Sequence, residues 1–297
     1  MGGLALRGAL NAADRVARLL PRGAAYGLAT LAGRAWYQLA PRRRALVTAN
    51  LARVSAASGR PTQGPALSRL VRRAFVEHAR YYLELLRVPH YSTERIGGMV
   101  SVDDWHRWQA VFREGAVVAT LHLGNFEPFG SYLSAHGLHA VVPVEEIEPR
   151  ALYEFMLARR GGGRGVEMVP LSRARRPMVE ALRRGGMVGL AADRDLGGGG
   201  LPVELFGHPA SLPTGPAGLA LMTGRPLVAA ACWRMGPERF HARGWLIEVE
   251  SSGDRQADMA AMTHALARRF EEAISAAPEQ WFGCFQPIWP DLDGTRP

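Results

Sequence analysis

Not one of the chain's 36 basic residues is a lysine. That absence removes whole mechanisms: no Walker lysine to meet a nucleotide's phosphates, no Schiff base, no lysine bearing a covalent cofactor. Cysteine is nearly as scarce. Cys232 and Cys284 are the only two, too few for a disulfide scaffold or a zinc cluster, so buried thiols in a reducing compartment are expected and no metal is. Long apolar runs are missing as well. The stretch 24-AAYGLATLAGRAWYQLA-40 has 17 residues and carries Arg34 and two glycines, short of the roughly 20 apolar residues that a spanning helix needs. Asp14 and three arginines break up the first twenty residues, so no secretory signal is expected there. With no low-complexity tract or repeat, 297 residues can bury a large core.

What is present in quantity is arginine, unevenly spread. Residues 1–100 hold 16 Arg against four acids (Asp14, Glu77, Glu84, Glu94), a charge of +12, whereas residues 101–297 hold 20 Arg against 23 acids. Such asymmetry points to an anionic partner, either nucleic acid or a membrane surface rich in acidic lipid. The arginines favour the membrane. In 4-LALRGALNAADRVARLL-20 the polar residues Arg7, Asn11, Asp14, Arg15 and Arg18 recur at helical spacing between apolar ones. In 24–40, Trp36 and Tyr37 sit beside the cluster Arg42, Arg43 and Arg44, a composition suited to lying on a membrane rather than crossing it. No nucleic-acid-binding module appears, and no nucleic acid partner is expected.

Residues 65–88 continue as helix. From about 115 the texture changes to short apolar runs alternating with helical patterns. Strands are expected at 116–123, 139–144, 166–170, 187–192, 202–206, 226–233 and 244–250. Helices are expected at 126–136, 149–160, 174–184, 214–223 and 257–276. The alternation predicts an α/β fold with a mostly parallel central sheet and helices on both faces. The close succession of 226–235 and 239–250 predicts one antiparallel hairpin, making the sheet mixed. We read 1–297 as one domain, a basic helical membrane-docking layer (1–100) wrapped onto an α/β catalytic core (101–297).

The chemistry concentrates in 116-AVVATLHLGNFEPFG-130. An apolar strand ends on His122, where ligands sit in open α/β sheets. Gly124 allows a sharp turn, Asn125 is a good helix N-cap, and Glu127 with Pro128 falls in the first helical turn. The chain doubles back, so Glu127 can meet the imidazole, fix its tautomer and leave the other ring nitrogen to take a proton. Backbone amides at the helix start can receive a developing oxyanion. The zinc-protease His-Glu-x-x-His and the hydrolase Gly-x-Ser-x-Gly are both absent. His106, His136, His139 and His241 have no carboxylate at helpful spacing, and Gly197–Gly200 lacks the Lys-Ser/Thr of a phosphate loop.

The spacing from His122 to Glu127 resembles the His-x-x-x-x-Asp/Glu box of the bacterial lipid A lauroyl and myristoyl acyltransferase family. Further pieces follow in that family's order: 41-PRRRALVTANLARV-54, 75-FVEHARYYLELLRVP-89 and 187-MVGLAADRDLGGGGLPVELFGHPASLPTGPAGLALMTGRPLV-228. The ending 278-PEQWFGCFQPIWP-290 is similar to the actinobacterial phosphatidylinositol mannoside acyltransferases. The resemblance implies a glycerolipid acyltransferase-like fold and a peripheral enzyme at the cytoplasmic face of the plasma membrane. It implies transfer of an acyl chain from acyl-CoA or acyl carrier protein, as co-substrate rather than cofactor, to a glycolipid hydroxyl. His122 would be the general base, Glu127 the motif carboxylate, and Asp193 an acid that helps orient the histidine. Arg164 and Arg194 would bind an anionic head group or the donor's phosphates. Which of Glu127 and Asp193 is the main partner of His122 stays open, as does the acceptor, with a lysophospholipid or aminolipid as alternatives.

Overall fold

The computed structural model describes residues 2–160 and 165–295. Helices come first: α1 (Gly2–Leu19), α2 (Arg22–Leu39), α3 (Pro41–Ala57), α4 (Gly64–Arg87) and the short α5 (Thr93–Gly97). Their packing follows from apolar spacing. In α4, Leu67, Val71, Ala74 and Phe75 fall three or four residues apart and are all buried. Gly33 of α2 lies where a Cβ would meet the backbone of Phe75 and Val76, so the two helices approach closely because this position has no side chain.

The rest alternates. β1 (Val100–Val102) and α6 (Trp105–Arg113) lead to β2 (Val117–Thr120), α7 (Glu127–Ala135), β3 (Ala140–Val144), α8 (Arg150–Arg160), β4 (Val166–Pro170), α9 (Arg175–Arg183) and β5 (Met187–Ala191). After a hairpin, β6 (Leu201–Leu205) and β7 (His208–Leu212), come α10 (Gly215–Thr223), β8 (Leu227–Gly236), β9 (Arg239–Leu246) and α11 (Arg255–Ala276). Seven strands form one sheet in the order β1-β9-β8-β2-β5-β3-β4. Every neighbouring pair is parallel except β8 and β9, the expected hairpin. The fold is a mixed, mostly parallel α/β sheet with helices on both faces. Val117 and Ala119 pack against residues of α9, α10 and α11, whereas Ala116 and Val118 pack against α6 and α7. A central strand covered on both sides reads as a continuous apolar run, which is why β2 lacks polar alternation.

Three segments depart from expectation. Residues 202–206 leave the main sheet and pair locally with β7 across Phe206 and Gly207, both at positive φ; a two-residue turn of that kind favours a self-contained hairpin. The strand expected through 250 ends at Leu246. β1 and α6 were not anticipated; three residues carry no readable periodicity. Among the described residues, no helix is long and apolar enough to cross a membrane.

Candidate active site

β2 and β5 are neighbours, and Thr120 lies opposite Ala191 in the parallel register. Two residues beyond each stand His122 and Asp193, so the register that aligns the strands also aligns these side chains. His122 Nδ1 lies 2.7 Å from Asp193 Oδ1, and the His122 amide donates to Asp193 Oδ2 at 3.1 Å. Trp281 Nε1 donates to the same Oδ2 at 2.9 Å. Asp193 is buried while the imidazole is one-third exposed. Burial by itself raises the Asp193 carboxyl. The charge of His122 and the hydrogen bonds from the histidine ring, the indole and the histidine amide outweigh it, holding the group below the usual carboxylate range. Since an ionised carboxylate only accepts, Nδ1 carries the proton and Nε2 is left as the acceptor.

Glu127 does not meet the imidazole. Its carboxylate lies 2.8 Å from Arg160 Nε and accepts from the Tyr81 hydroxyl at 3.4 Å. Burial raises its pKa, with Arg160 and the Tyr81 hydrogen bond offsetting only part of the effect. The pairing expected of Glu127 therefore belongs to Asp193, and the motif carboxylate instead fastens the start of α7 to the end of α8. The physical reason is direction: α7 carries residue 127 away from the strand end, while β5 delivers residue 193 beside it.

The turn between them is held on every side. Gly124 has φ +60, and a Cβ there would collide with the Cys232 carbonyl, so only glycine fits. Its amide donates to Gln280 O at 2.9 Å, and Phe282 N donates to His122 O at 2.6 Å. Asn125 is fully buried. Its side chain accepts from the Glu127 amide at 3.1 Å and donates to Glu84 at 2.8 Å. The cap position of α7 falls on Phe126 rather than on the expected Asn125; the Asn125 side chain takes the Glu127 amide from one residue further out, Pro128 has none, and Gly130 N donates to Phe126 O. Of the first-turn amides offered as an oxyanion site, Phe129 is the one with no acceptor among the described residues.

Sequence reasoning missed Trp281, Glu84, Arg160 and Tyr81 as neighbours of this turn. Each lies more than thirty residues from the His122–Glu127 motif along the chain, so no local spacing marks it. A faint signal existed in Gly283, where a Cβ would meet the Trp281 indole and the Asp193 carboxylate. Arg194 lines the cavity next to His122, whereas Arg164 lies outside the described residues. Glycines 197–200 do not form a phosphate cradle: Asp195 accepts from Gly198 N, Gly200 N and the Ser211 hydroxyl at 2.8–3.0 Å. His241, expected without a carboxylate, lies 3.4 Å from Asp103 in space. Burial drives the Cys232 thiol up to about 12 and raises Cys284 too, so neither is a ready thiolate.

His122 and Glu127 face a cavity of about 1060 Å³ that reaches both faces of the sheet. Successive strand residues point to opposite faces. Val118, Thr120, Met187 and Gly189, with Phe129 and Leu133 of α7, line one lobe; Leu190, Ala192, Met178, Leu219 and Met222 line the other. An apolar, two-lobed cavity with an Asp-oriented histidine at its junction suits a proton abstraction beside a long apolar chain.

The model of the family described as bacterial lipid A biosynthesis acyltransferase matches residues 6–289. The chain is 36% identical over 234 residues to the phosphatidylinositol mannoside acyltransferase of Mycobacterium tuberculosis (strain ATCC 25618 / H37Rv), covering 74% of this chain and 70% of the relative. It is 34% identical over 235 residues to the phosphatidylinositol mannoside acyltransferase of Mycolicibacterium smegmatis, covering 76% and 75%.

Proposed function

The chain belongs to the bacterial lipid A biosynthesis acyltransferase family, and from that membership we propose transfer of a fatty acyl group from an acyl thioester to a sugar hydroxyl of a phosphatidylinositol mannoside, with His122 as general base. Asp193 holds the proton on Nδ1, so Nε2 takes the proton of the acceptor hydroxyl as its oxygen attacks the thioester carbonyl. The resulting imidazolium is stabilised by the carboxylate. Collapse of the tetrahedral oxyanion forms the ester, breaks the C–S bond, and the departing thiolate recovers the proton from Nε2. No protein nucleophile is needed, in keeping with two buried, protonated thiols.

The carrying observation is the 2.7 Å pair of His122 and Asp193 set in the wall of an apolar cavity. Purified protein given a labelled acyl-CoA and a phosphatidylinositol mannoside acceptor should yield labelled acylated glycolipid. His122→Ala should lower the rate by about 10²–10⁴-fold, the usual worth of a general base, with the far-ultraviolet spectrum unchanged. Retention of more than about a tenth of turnover would remove His122 from that role.

Peripheral attachment to an anionic leaflet, on its cytoplasmic side, is part of the same proposal. Val16 and Leu19 of α1 and Leu28, Leu31 and Leu39 of α2 are at least half exposed, in helices that also carry Arg15, Arg18, Arg22 and Arg34. Apolar side chains beside arginines on an exposed surface are what an interfacial helix presents. Tyr82 is also exposed and lines the cavity, which gives a lipid acceptor an approach near these helices.

A further inference from the structure

The segment that follows α11 closes the catalytic turn from a third side. Leu123 and Trp281 form an isolated antiparallel bridge, flanked by the bonds from Gly124 N to Gln280 O and from Phe282 N to His122 O. Residues 280–282 therefore run alongside 122–124 and bring the fully buried Trp281 indole to Asp193, where Nε1 donates to Oδ2 at 2.9 Å. Gly283 is its companion. A Cβ at that position would collide with both the indole nitrogen and Asp193 Oδ2, so donor and acceptor meet only because this residue has no side chain.

Among the described residues, His122 lines the cavity but Asp193, Trp281 and Gly283 do not. The indole can act on the reaction only through the carboxylate behind the histidine. Trp233 and Trp289 end their N–H bonds on backbone carbonyls, of Ala273 and Leu205; Trp281 ends on a charge, and that has a consequence for the ring beyond it. Asp193 divides its oxygens. Oδ2 accepts from Trp281 Nε1 and the His122 amide, and Oδ1 is left for the imidazole. Two N–H groups on Oδ2 stop the carboxylate from rotating and draw negative charge away from Oδ1. More charge on Oδ1 would tighten the imidazolium's hold on a proton that Nε2 has to return to the leaving thiolate. Resting on the acyl transfer proposed above, we infer that Trp281 is a positioning residue: its indole aims Asp193 at His122 and limits how basic the histidine becomes, and Gly283 keeps the room for that contact.

The test compares the full chain with Trp281→Phe and with a chain carrying 3-benzothienylalanine at position 281, in which sulfur replaces the indole N–H and the packing is kept. The His122 ring is followed by nuclear magnetic resonance across pH in histidine-labelled protein, without substrate, and His122→Gln identifies its signal. Both changes should move the ring's titration midpoint up by about half a pH unit or more, a fraction of the worth of a hydrogen bond to a charged group. The other titratable and charged groups around the pair stay in place: His78 of α4, the Glu127 and Arg160 pair, Arg194, and the buried thiol of Cys284. In turnover assays kcat should fall by about tenfold, with the acidic limb of kcat/KM displaced to higher pH. KM for acyl-CoA and for the glycolipid should both hold, because the indole does not reach the cavity. Trp233→Phe is the control: it loses a buried indole bond to a carbonyl and should leave the His122 midpoint where it was. An unchanged midpoint in the benzothienyl protein would overturn the positioning role, and so would an equal shift in Trp233→Phe or an effect confined to KM. Because the titration needs no turnover, a shift that depends on Trp281 in a protein without acyl transfer would leave this inference standing while refuting the proposed reaction.

Discussion

At His122 the decisive contact is the bond from Nδ1 to Asp193, because it sets which nitrogen is free to act. Asp193→Asn should therefore cost more than Glu127→Gln. The amide can accept only through its oxygen and offers N–H groups to a ring that must donate, so the wrong tautomer becomes populated. We expect turnover to fall by about 10²-fold or more, within the range of general-base losses. Glu127→Gln leaves Arg160 buried beside a neutral partner and should act mainly through stability; steady-state kinetics and denaturation on both variants separate the two. A turnover loss at Glu127 equal to that at Asp193, with stability intact, would bring Glu127 into the proton-handling pair. His78 supplies a pH test. Its ring is stacked between Phe282 and Tyr82 and its Nδ1 has no partner. Burial, then the neighbouring His122 and Arg43, lower its pKa to about 3. An unfolded histidine titrates near about 6.5, so between these values the unfolded state binds the extra proton. Folding stability is therefore lost as pH falls from about 6.5 toward about 3, at up to about 1.4 kcal/mol per pH unit. Urea denaturation at several pH values should show His78→Phe with a shallower loss than wild type; parallel curves would show that the folded protein accommodates a protonated His78.

Among the elements, α2 and α3 carry the test of membrane attachment, and the arginine cluster at their junction turns out to be divided. Arg43 donates to Phe285 O, and Arg44 donates to Tyr37 O at 2.9 Å and lies over the Tyr37 ring. Only Arg42 of the three is exposed without such a partner. Arg42→Gln should weaken binding to anionic vesicles by about 1 kcal/mol, the worth of one basic residue near such a surface. Added salt should remove that difference, since the Debye length shrinks to about 3 Å at 1 M. Replacing Leu28, Leu31 and Leu39 together by glutamine should weaken binding by an amount that salt does not remove. Vesicle sedimentation at two salt concentrations reads both, and equal binding to neutral and anionic vesicles would remove the electrostatic part of the dock. Arg43→Gln is a poor probe of the membrane, because its loss disturbs the packing around Phe285.

Across the whole molecule, one buried network joins the first helices to the sheet and to the catalytic turn. Glu84 of α4 accepts from Tyr26 of α2 at 2.7 Å, from Asn125 at 2.8 Å, and twice from Arg234 of β8 at 2.6 Å. Glu77 also pairs with Arg234. Arg234→Met leaves the buried Glu84 with no cation, while Glu77 keeps Arg80, and should cost about 3–5 kcal/mol of folding free energy, as for other broken buried pairs. Chemical denaturation checks it, and a loss under about 1 kcal/mol would show that the network carries little stability. The same network marks how far a linear reading reaches. Local pattern alone determined the α/β order, the antiparallel hairpin at β8 and β9, the turn at Gly124, the start of α7 just after Asn125 and the histidine at a strand end. Each is written within a few neighbouring residues as periodicity, backbone freedom or a short-range hydrogen bond. The identity of the imidazole's partner was not. Asp193 is 71 residues from His122, and only the insertion of β5 beside β2, with Thr120 opposite Ala191, brings it within 2.7 Å. The division of arginines into paired and unpaired was equally invisible, because charge is countable along a chain but its compensation depends on which distant acids the fold delivers.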